Sequence, residues 1–276
     1  MRGKVILAGA GCGDPDLITV KAAKYLQQAD VVLTDRLVSD DILRAYVKPE
    51  TEVVYVGKQC RLGASTPQET INQLLVEYAL KDKLIVRLKG GDVSIFSNIL
   101  DELEVLVANE IAYEIIPGVT AALGAAAHAG IPLTARGYST AVRLLTYYKS
   151  DIVTENYWRE LAATEDTLVF YMSSETLPLV VEKLNKYHIN TDKKIAVIEQ
   201  ATTPFQKVHI TGFDTYQDTL AGKKFLSPSL IIIGRVVNLH SQFAWLQNSN
   251  SNEYYFKPVA KIGINQSAAN KKEARA

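Results

Sequence analysis

Two glycine runs hold the residues whose types and spacing could do chemistry. The first is Gly9-Ala10-Gly11-Cys12-Gly13-Asp14. The second is Gly90-Gly91-Asp92, preceded by Arg87-Leu88-Lys89. Each closes a short apolar, β-branched stretch. Backbone without side chains lets a ligand approach closely and turns free N–H groups toward it. The first run comes near the dinucleotide fingerprint GxGxxG, and Asp35 lies where its ribose-binding acid is expected. The third glycine position, however, is Asp14, whose carboxylate at a helix start would repel a pyrophosphate. Asp14 is better read as the cap of a helix entered through Pro15. The second run offers close backbone approach and one acceptor, which suits a ribose hydroxyl or a cation better than a phosphate. Together the runs point to a nucleoside-like ligand without phosphates. S-adenosylmethionine has that make-up: an adenosine, ribose hydroxyls, a sulfonium cation and an amino-acid end. Either run alone is also compatible with a plain turn.

The elements that must position these runs follow from periodicity. Residues 5–8, 31–34, 52–56, 84–88 and 113–116 read as strands. Residues 17–28, 67–80 and 98–108 show the apolar spacing of helices. Thr66 and Glu69 fit a capping box. Alternating strands and helices imply an α/β fold with a mainly parallel sheet and crossover helices. After the break at Ile116-Pro117-Gly118 comes an Ala/Gly-rich helix. Strands are then expected at 143–146, 167–172, 194–199, 207–211 and 230–234, with helices at 214–220 and 236–246. The reading is two α/β domains with mainly parallel or mixed sheets, at 1–117 and 118–246, and a cleft between them. Residues 247–276 are polar and aperiodic, and read as a mobile tail.

Composition excludes several classes of function. The 276 residues carry 30 Lys+Arg and 30 Asp+Glu, and this balance argues against a general nucleic-acid surface. With 47% apolar and 22% charged residues, the chain is not an acidic disordered one. Cys12 and Cys60 are too few for a disulfide framework. The four histidines lack metal-ligand spacing, and no metal is expected. No window reaches the ~20 apolar residues of a membrane helix, and the short apolar run after Met1-Arg2-Gly3-Lys4 reads as a first strand rather than a signal peptide. A cytoplasmic protein without a membrane or nucleic-acid partner is expected.

Beyond these readings, the order of motifs resembles the tetrapyrrole methylase family, most closely its uroporphyrinogen-III C-methyltransferases. The resemblance runs from about Gly3 to Trp245. It rests on VILAGAGCGDPDLITVKA, DVVLTDRLVS, VGK with PQETIN, RLKGGD, EIIPGVTAALGAAAHAGIPLT, YM, EQATTP and SPSLIIIGRVV. It implies a homodimer that binds S-adenosylmethionine between two α/β domains and releases S-adenosylhomocysteine. Carried over by motif, Gly90, Gly91 and Asp92 would hold the ribose and amino-acid portion, with Ile95 lining the same pocket. Thr120 and Ala121 match a Thr-Ala pair at the domain junction. Met172, Ala201 and Leu230 match contacts from the second domain. Cys12 stands where the family usually has proline.

The implied reaction methylates uroporphyrinogen III at C2 and C7, giving precorrin-2 on the route to sirohaem and cobalamin. Loss of a pyrrole proton could use a carboxylate, and Asp35 and the adjacent Arg36 are the catalytic candidates. The acceptor bears eight carboxylates, so cations are expected around it; Arg36, Lys58, Arg61 and Arg136 are the candidates. The chain also departs from the family pattern. GGDPFIFGRGGEE is GGDVSIFSNILDE here, a Thr-Gly-His is Thr146-Tyr147-Tyr148, and the YMG turn ends in Ser173. Three alternatives therefore stay open: a later precorrin as acceptor, a binder of S-adenosylmethionine or a tetrapyrrole without turnover, and a nicotinamide-dependent oxidoreductase, which Asp14 disfavours.

Overall fold

The structure is a computed structural model and describes residues 3–56, 58–59, 64–147 and 153–256. In the first half, β1 (Lys4–Gly9), β2 (Val31–Thr34), β3 (Glu52–Tyr55), β6 (Leu84–Lys89) and β7 (Ala112–Ile116) form an all-parallel sheet in the order β3-β2-β6-β1-β7. A two-residue pair, β4 (Lys58–Gln59) with β5 (Ala64–Ser65), stands apart from it. Sheets of this kind are covered on both faces, which is why β1 and β2 read as nearly continuous apolar runs, whereas the middle strand β6 also carries Arg87 and Lys89. Helices α1 (Val20–Leu26) and α2 (Asp40–Tyr46) cover one face, with Leu26, Ile42 and Leu43 against Ile6, Ala8, Val32 and Val86. Helices α3 (Gln68–Leu80) and α4 (Leu100–Ala108) cover the other, with Ile71, Leu75 and Leu106 against Val5, Leu7, Leu33 and Ile85.

The second half holds α5 (Ala121–His128), β8 (Val142–Thr146), α6 (Glu155–Ala163), β9 (Thr167–Tyr171), α7 (Leu177–Lys186), β10 (Lys194–Glu199), β11 (Lys207–Gly212), α8 (Tyr216–Thr219), β12 (Ser229–Gly234) and α9 (His240–Phe243). Its sheet runs β11-β10-β12-β9-β8. Only β8 and β9 are parallel; the other pairings are antiparallel. The expected α/β class therefore holds, with a parallel sheet in one half and a mixed one in the other. Residues 200–206, which join β10 to β11, are too few for a crossover of a dozen residues, so that pair must be antiparallel.

Local differences have local causes. The stretch expected as one helix at 17–28 splits into a 3-10 turn, Pro15–Leu17, and α1, because Thr19 caps a new start by accepting from the Ala22 N–H at 3.3 Å. Asp14 does cap the turn, accepting from the Asp16 N–H at 2.9 Å. Helix α3 starts at Gln68 with Pro67 at the cap position, later than a Thr66–Glu69 capping box requires. The helix expected over 236–246 is a 3-10 turn, Arg235–Leu239, followed by α9.

The reading of 247–276 as a mobile tail needs correction for its first ten residues. The Asn248 side chain bonds both the N–H and the C=O of Val208 on edge strand β11, at 2.7 and 3.0 Å. The Gln200 amide donates to the Glu253 carbonyl at 3.0 Å and accepts from the Tyr255 N–H at 2.7 Å. The Tyr255 hydroxyl bonds Asp41 on α2 in the first half, and Phe256 is buried. The Asn248 amide pairs with a strand edge, a contact that leaves no periodicity in sequence. Residues 257–276 lie outside the described residues.

Candidate active site

The glycine runs meet at the carboxyl edge of the parallel sheet. Gly11 and Gly91 exchange backbone hydrogen bonds of 2.6 and 3.1 Å, and the Ala10 N–H donates to the Lys89 carbonyl at 2.8 Å. Gly118, just past β7, packs between them. A Cβ there would lie 2.3 Å from the Gly91 carbonyl oxygen and 2.8 Å from the Gly9 Cα. Gly91 itself has φ +73°, a conformation natural to glycine. A Cβ built on it would meet nothing within 4 Å, so its flank is open to a ligand.

Asp92 ties this junction together. One carboxylate oxygen accepts from the Gly118 N–H at 2.8 Å; the other accepts from the Ser94 N–H at 2.8 Å and from the Ser94 hydroxyl. Burial alone would raise the Asp92 carboxyl, but these donors outweigh it and hold the group below the ordinary carboxylate range. The junction thus offers bare backbone and one stable carboxylate. Neither glycine run carries a Lys or Arg of its own. These features suit ribose hydroxyls, an ammonium or a sulfonium, and do not suit a pyrophosphate, so the chain's residues fit S-adenosylmethionine.

Tyr171 braces the start of α5 within the second half through its hydroxyl and reaches Phe96 of the first half through its ring. Its hydroxyl bonds Thr120 Oγ1 at 2.7 Å and accepts from the Ala122 N–H at 3.0 Å, while its ring meets Phe96 at 5.0 Å. Burial pushes the Tyr171 hydroxyl up, so it stays protonated at neutral pH. Ala121, Ala201 and Tyr171 pack on the cluster that contains buried Leu230, the register partner of Tyr171. Met172 follows with φ +53° and is 59% exposed. Cys12 is half-buried where Gly124 of α5 leaves it room: a Cβ on residue 124 would lie 2.1 Å from the Cys12 sulfur. Burial pushes the Cys12 thiol up, with a Thr202 hydrogen bond opposing, so cysteine acts there by shape. The Asp14 N–H also donates to Thr202 Oγ1 at 3.3 Å, which places Ala201 and its neighbour beside the first glycine run. Ile95 is half-buried between Asp92 and Phe96 in sequence.

Asp35 lies beyond the end of β2 and keeps a quarter of its side chain exposed. Its Oδ1 accepts from the Arg87 guanidinium at 2.8 Å. Arg87 also bonds Glu102 of α4 at 2.9 Å, and Lys89 donates to both Glu102 oxygens at 3.1 Å. Arg87, Lys89 and Glu102 are buried. Burial would lower Arg87, but Asp35 and Glu102 outweigh it; burial and neighbouring Arg87 do lower Lys89.

No contact joins Arg136, exposed on the turn closed by the Ala135–Ser139 bridge, to Asp35 or Asp92. Arg36 follows Asp35 directly. The Lys58 backbone lies in β4, and Arg61 and Cys60 fall outside the described residues. Cavities of about 420 Å³, beside Pro178, Tyr216 and Lys223, and about 400 Å³, between α3 and α4, touch none of these residues. Among the described residues there is no His/Cys/Asp/Glu group that could hold a metal, and no helix is long and apolar enough to cross a membrane.

Sequence reasoning passed over Tyr171, Phe96, and the Arg87–Lys89–Glu102 group. One signal was present: Glu102 sits on the inward stripe of α4 with Ile99, Leu103 and Leu106, where a lone carboxylate needs a cationic partner.

Residues 4–215 match the family described as Tetrapyrrole (Corrin/Porphyrin) Methylases. The chain is 44% identical over 247 residues to a siroheme synthase of Pseudomonas fluorescens (strain Pf0-1), covering 90% of this chain and 53% of that one. It is 42% identical over 243 residues to the siroheme synthase of Vesicomyosocius okutanii subsp. Calyptogena okutanii (strain HA), covering 88% and 52%. The chain thus spans about half the length of these relatives. Among solved structures it is similar to uroporphyrin-III C-methyltransferase from Thermus thermophilus, with TM-score 0.73 and 31% identity over 90% of this chain and 99% of that one. A structure of the Thermus enzyme complexed with S-adenosyl homocysteine gives 0.71 and 30%, covering 86% and 94%. A cobalt precorrin-4 methyltransferase gives 0.75 and 30%, covering 85% and 95%.

Proposed function

The chain belongs to the tetrapyrrole (corrin/porphyrin) methylase family, and from that premise we propose that it is an S-adenosylmethionine-dependent C-methyltransferase converting uroporphyrinogen III to precorrin-2. The carrying observation is the junction of Gly11, Gly91 and Gly118 braced by Asp92, an edge built for a phosphate-free nucleoside. When bound, S-adenosylmethionine supplies an electrophilic methyl group on a sulfonium. Gly90, Gly91 and Asp92 hold its ribose and amino-acid portion. Cys12, Ile95, Thr120, Ala121, Met172, Ala201 and Leu230 form the surrounding walls. Fixing the acceptor carbon in line with the methyl group supplies much of the acceleration. As the new carbon–carbon bond forms and the carbon–sulfur bond breaks, Asp35 accepts the proton the acceptor loses. Arg36, Lys58, Arg61 and Arg136 are assigned to the acceptor's carboxylates. The reading includes a cytoplasmic homodimer.

The test is incubation with uroporphyrinogen III and methyl-labelled S-adenosylmethionine, followed by product mass. A gain of two methyl groups is expected, whereas tight cofactor binding without label transfer overturns the reading. One observation favours a second acceptor: Ser97-Asn98-Ile99-Leu100 stands where the family has Gly-Arg-Gly-Gly, which removes a cation from that loop. Label transfer to a later precorrin, and none to uroporphyrinogen III, would select that acceptor.

A further inference from the structure

We propose that Arg87 is a positioning residue that holds the Asp35 carboxylate in its proton-accepting orientation, with Glu102 and Lys89 fixing Arg87 from behind. The inference rests on the reading of Asp35 as the base. Leu33 and Arg87 are register partners on the parallel strands β2 and β6, so Asp35, two residues further on, falls on the face that Arg87 occupies. The guanidinium is held at every nitrogen. Nε donates to Glu102 at 2.9 Å, Nη1 lies 3.4 and 3.3 Å from the carbonyls of Leu33 and Leu88, and Nη2 donates to Asp35 at 2.8 Å. Its plane is therefore set by α4, by both strands and by Asp35 itself. Lys89 grips both oxygens of Glu102, so the carboxylate behind Arg87 cannot turn. The Asp35 N–H is anchored as well, donating to the Leu88 carbonyl at 3.3 Å.

Stability alone does not explain such a group. Burying two cations and a carboxylate is costly, and apolar residues of similar volume often do as well or better. What the group achieves is directional. A rigid, permanently charged fork reaches from the interior to the one member that is partly exposed, and fixes a carboxylate that would otherwise rotate in a loop. Displacing a catalytic group by about 1 Å costs on the order of 10²-fold in rate. Arg87→Gln should therefore lower kcat by about that factor, and leave the S-adenosylmethionine Kd within about 3-fold because the Asp92 junction is intact.

The deciding experiment is a double-mutant cycle of R87Q with D35N, read as kcat for methyl transfer to uroporphyrinogen III, with the S-adenosylmethionine Kd measured in parallel. If Arg87 acts through Asp35, the double variant is no slower than D35N alone. A merely structural Arg87 would lower the rate by the same factor in both backgrounds, and that result overturns the inference. So does an R87Q enzyme with full turnover. A D35N enzyme with full turnover instead overturns the reading of Asp35 as the base, and the inference with it. Should R87Q fail to fold, the cycle is run with R87K, which keeps the charge but lacks the fork. Partial loss that disappears in the D35N background supports the clamp, and wild-type turnover in R87K overturns it.

Discussion

Asp92 and Asp35 are both aspartates at strand tips, yet their surroundings give them different work. Asp92 is buried with its two oxygens engaged by Gly118 and Ser94, so it shapes the junction. Replacing it by alanine should weaken S-adenosylmethionine binding at least about 10-fold, the loss of one charge-assisted contact, as measured by calorimetry. Its titration is also testable. The folded carboxyl lies below its ordinary value because the Ser94 and Gly118 donors outweigh burial. The stability it contributes is thus complete above the unfolded value of about 4 and is lost as pH falls through the lower folded value. Unfolding temperatures taken between neutral and acid pH should fall less steeply in Asp92→Asn than in the parent, and equal slopes would refute this role. Asp35, by contrast, is partly open and held through Oδ1. Asp35→Asn should leave S-adenosylmethionine binding unchanged and lower kcat by about 10²–10³-fold, within the range for loss of a general base. Single-turnover kinetics at saturating cofactor would show it.

At the scale of elements, the site depends on close approaches between loops from distant parts of the chain. At Gly118 backbone atoms of two other loops occupy the space of a Cβ. Gly118→Ala must displace the Gly91 loop and should reduce cofactor binding more than it reduces folding, read as a Kd ratio against the shift in Tm. The segment 248–256 is a second such element. It crosses from β11 to α2 and brings the Phe256 ring to the first glycine run, 3.3 Å from where a Gly13 Cβ would stand. Burying a phenylalanine is worth about 2 kcal/mol, so Phe256→Ala should lower Tm by roughly 4–8 °C, and truncation after Gln247 by more. Unchanged melting of the truncated chain would show that the segment does not hold the halves together. The glycine runs, the capping role of Asp14 and the alternation of strands were legible because each is local. The strap and the Tyr171 bridge were not: Asn248, Tyr255 and Tyr171 signal nothing by periodicity, and their partners lie 40, 214 and 51 residues away.

At the scale of the molecule, two sheets of different construction face the same junction, one parallel and one mixed. The chain covers about half of its siroheme synthase relatives, and every group placed in the proposed methyl transfer lies within it. Sedimentation of the purified chain should give twice 30.4 kDa if the homodimer forms, and a mass of 30.4 kDa at every concentration would exclude it. Sequence by itself determined the α/β class, the two glycine runs and the cap at Asp14. Those properties come from short-range sterics and hydrophobic periodicity, which a chain carries before it folds. Only the tertiary structure decided that Asp92 braces Gly118, that Tyr171 of the second half packs on Phe96 of the first, and that Arg87 carries a buried charge network out to Asp35. Each is a contact between groups far apart in sequence, and its energy exists only once burial has stripped water from both partners.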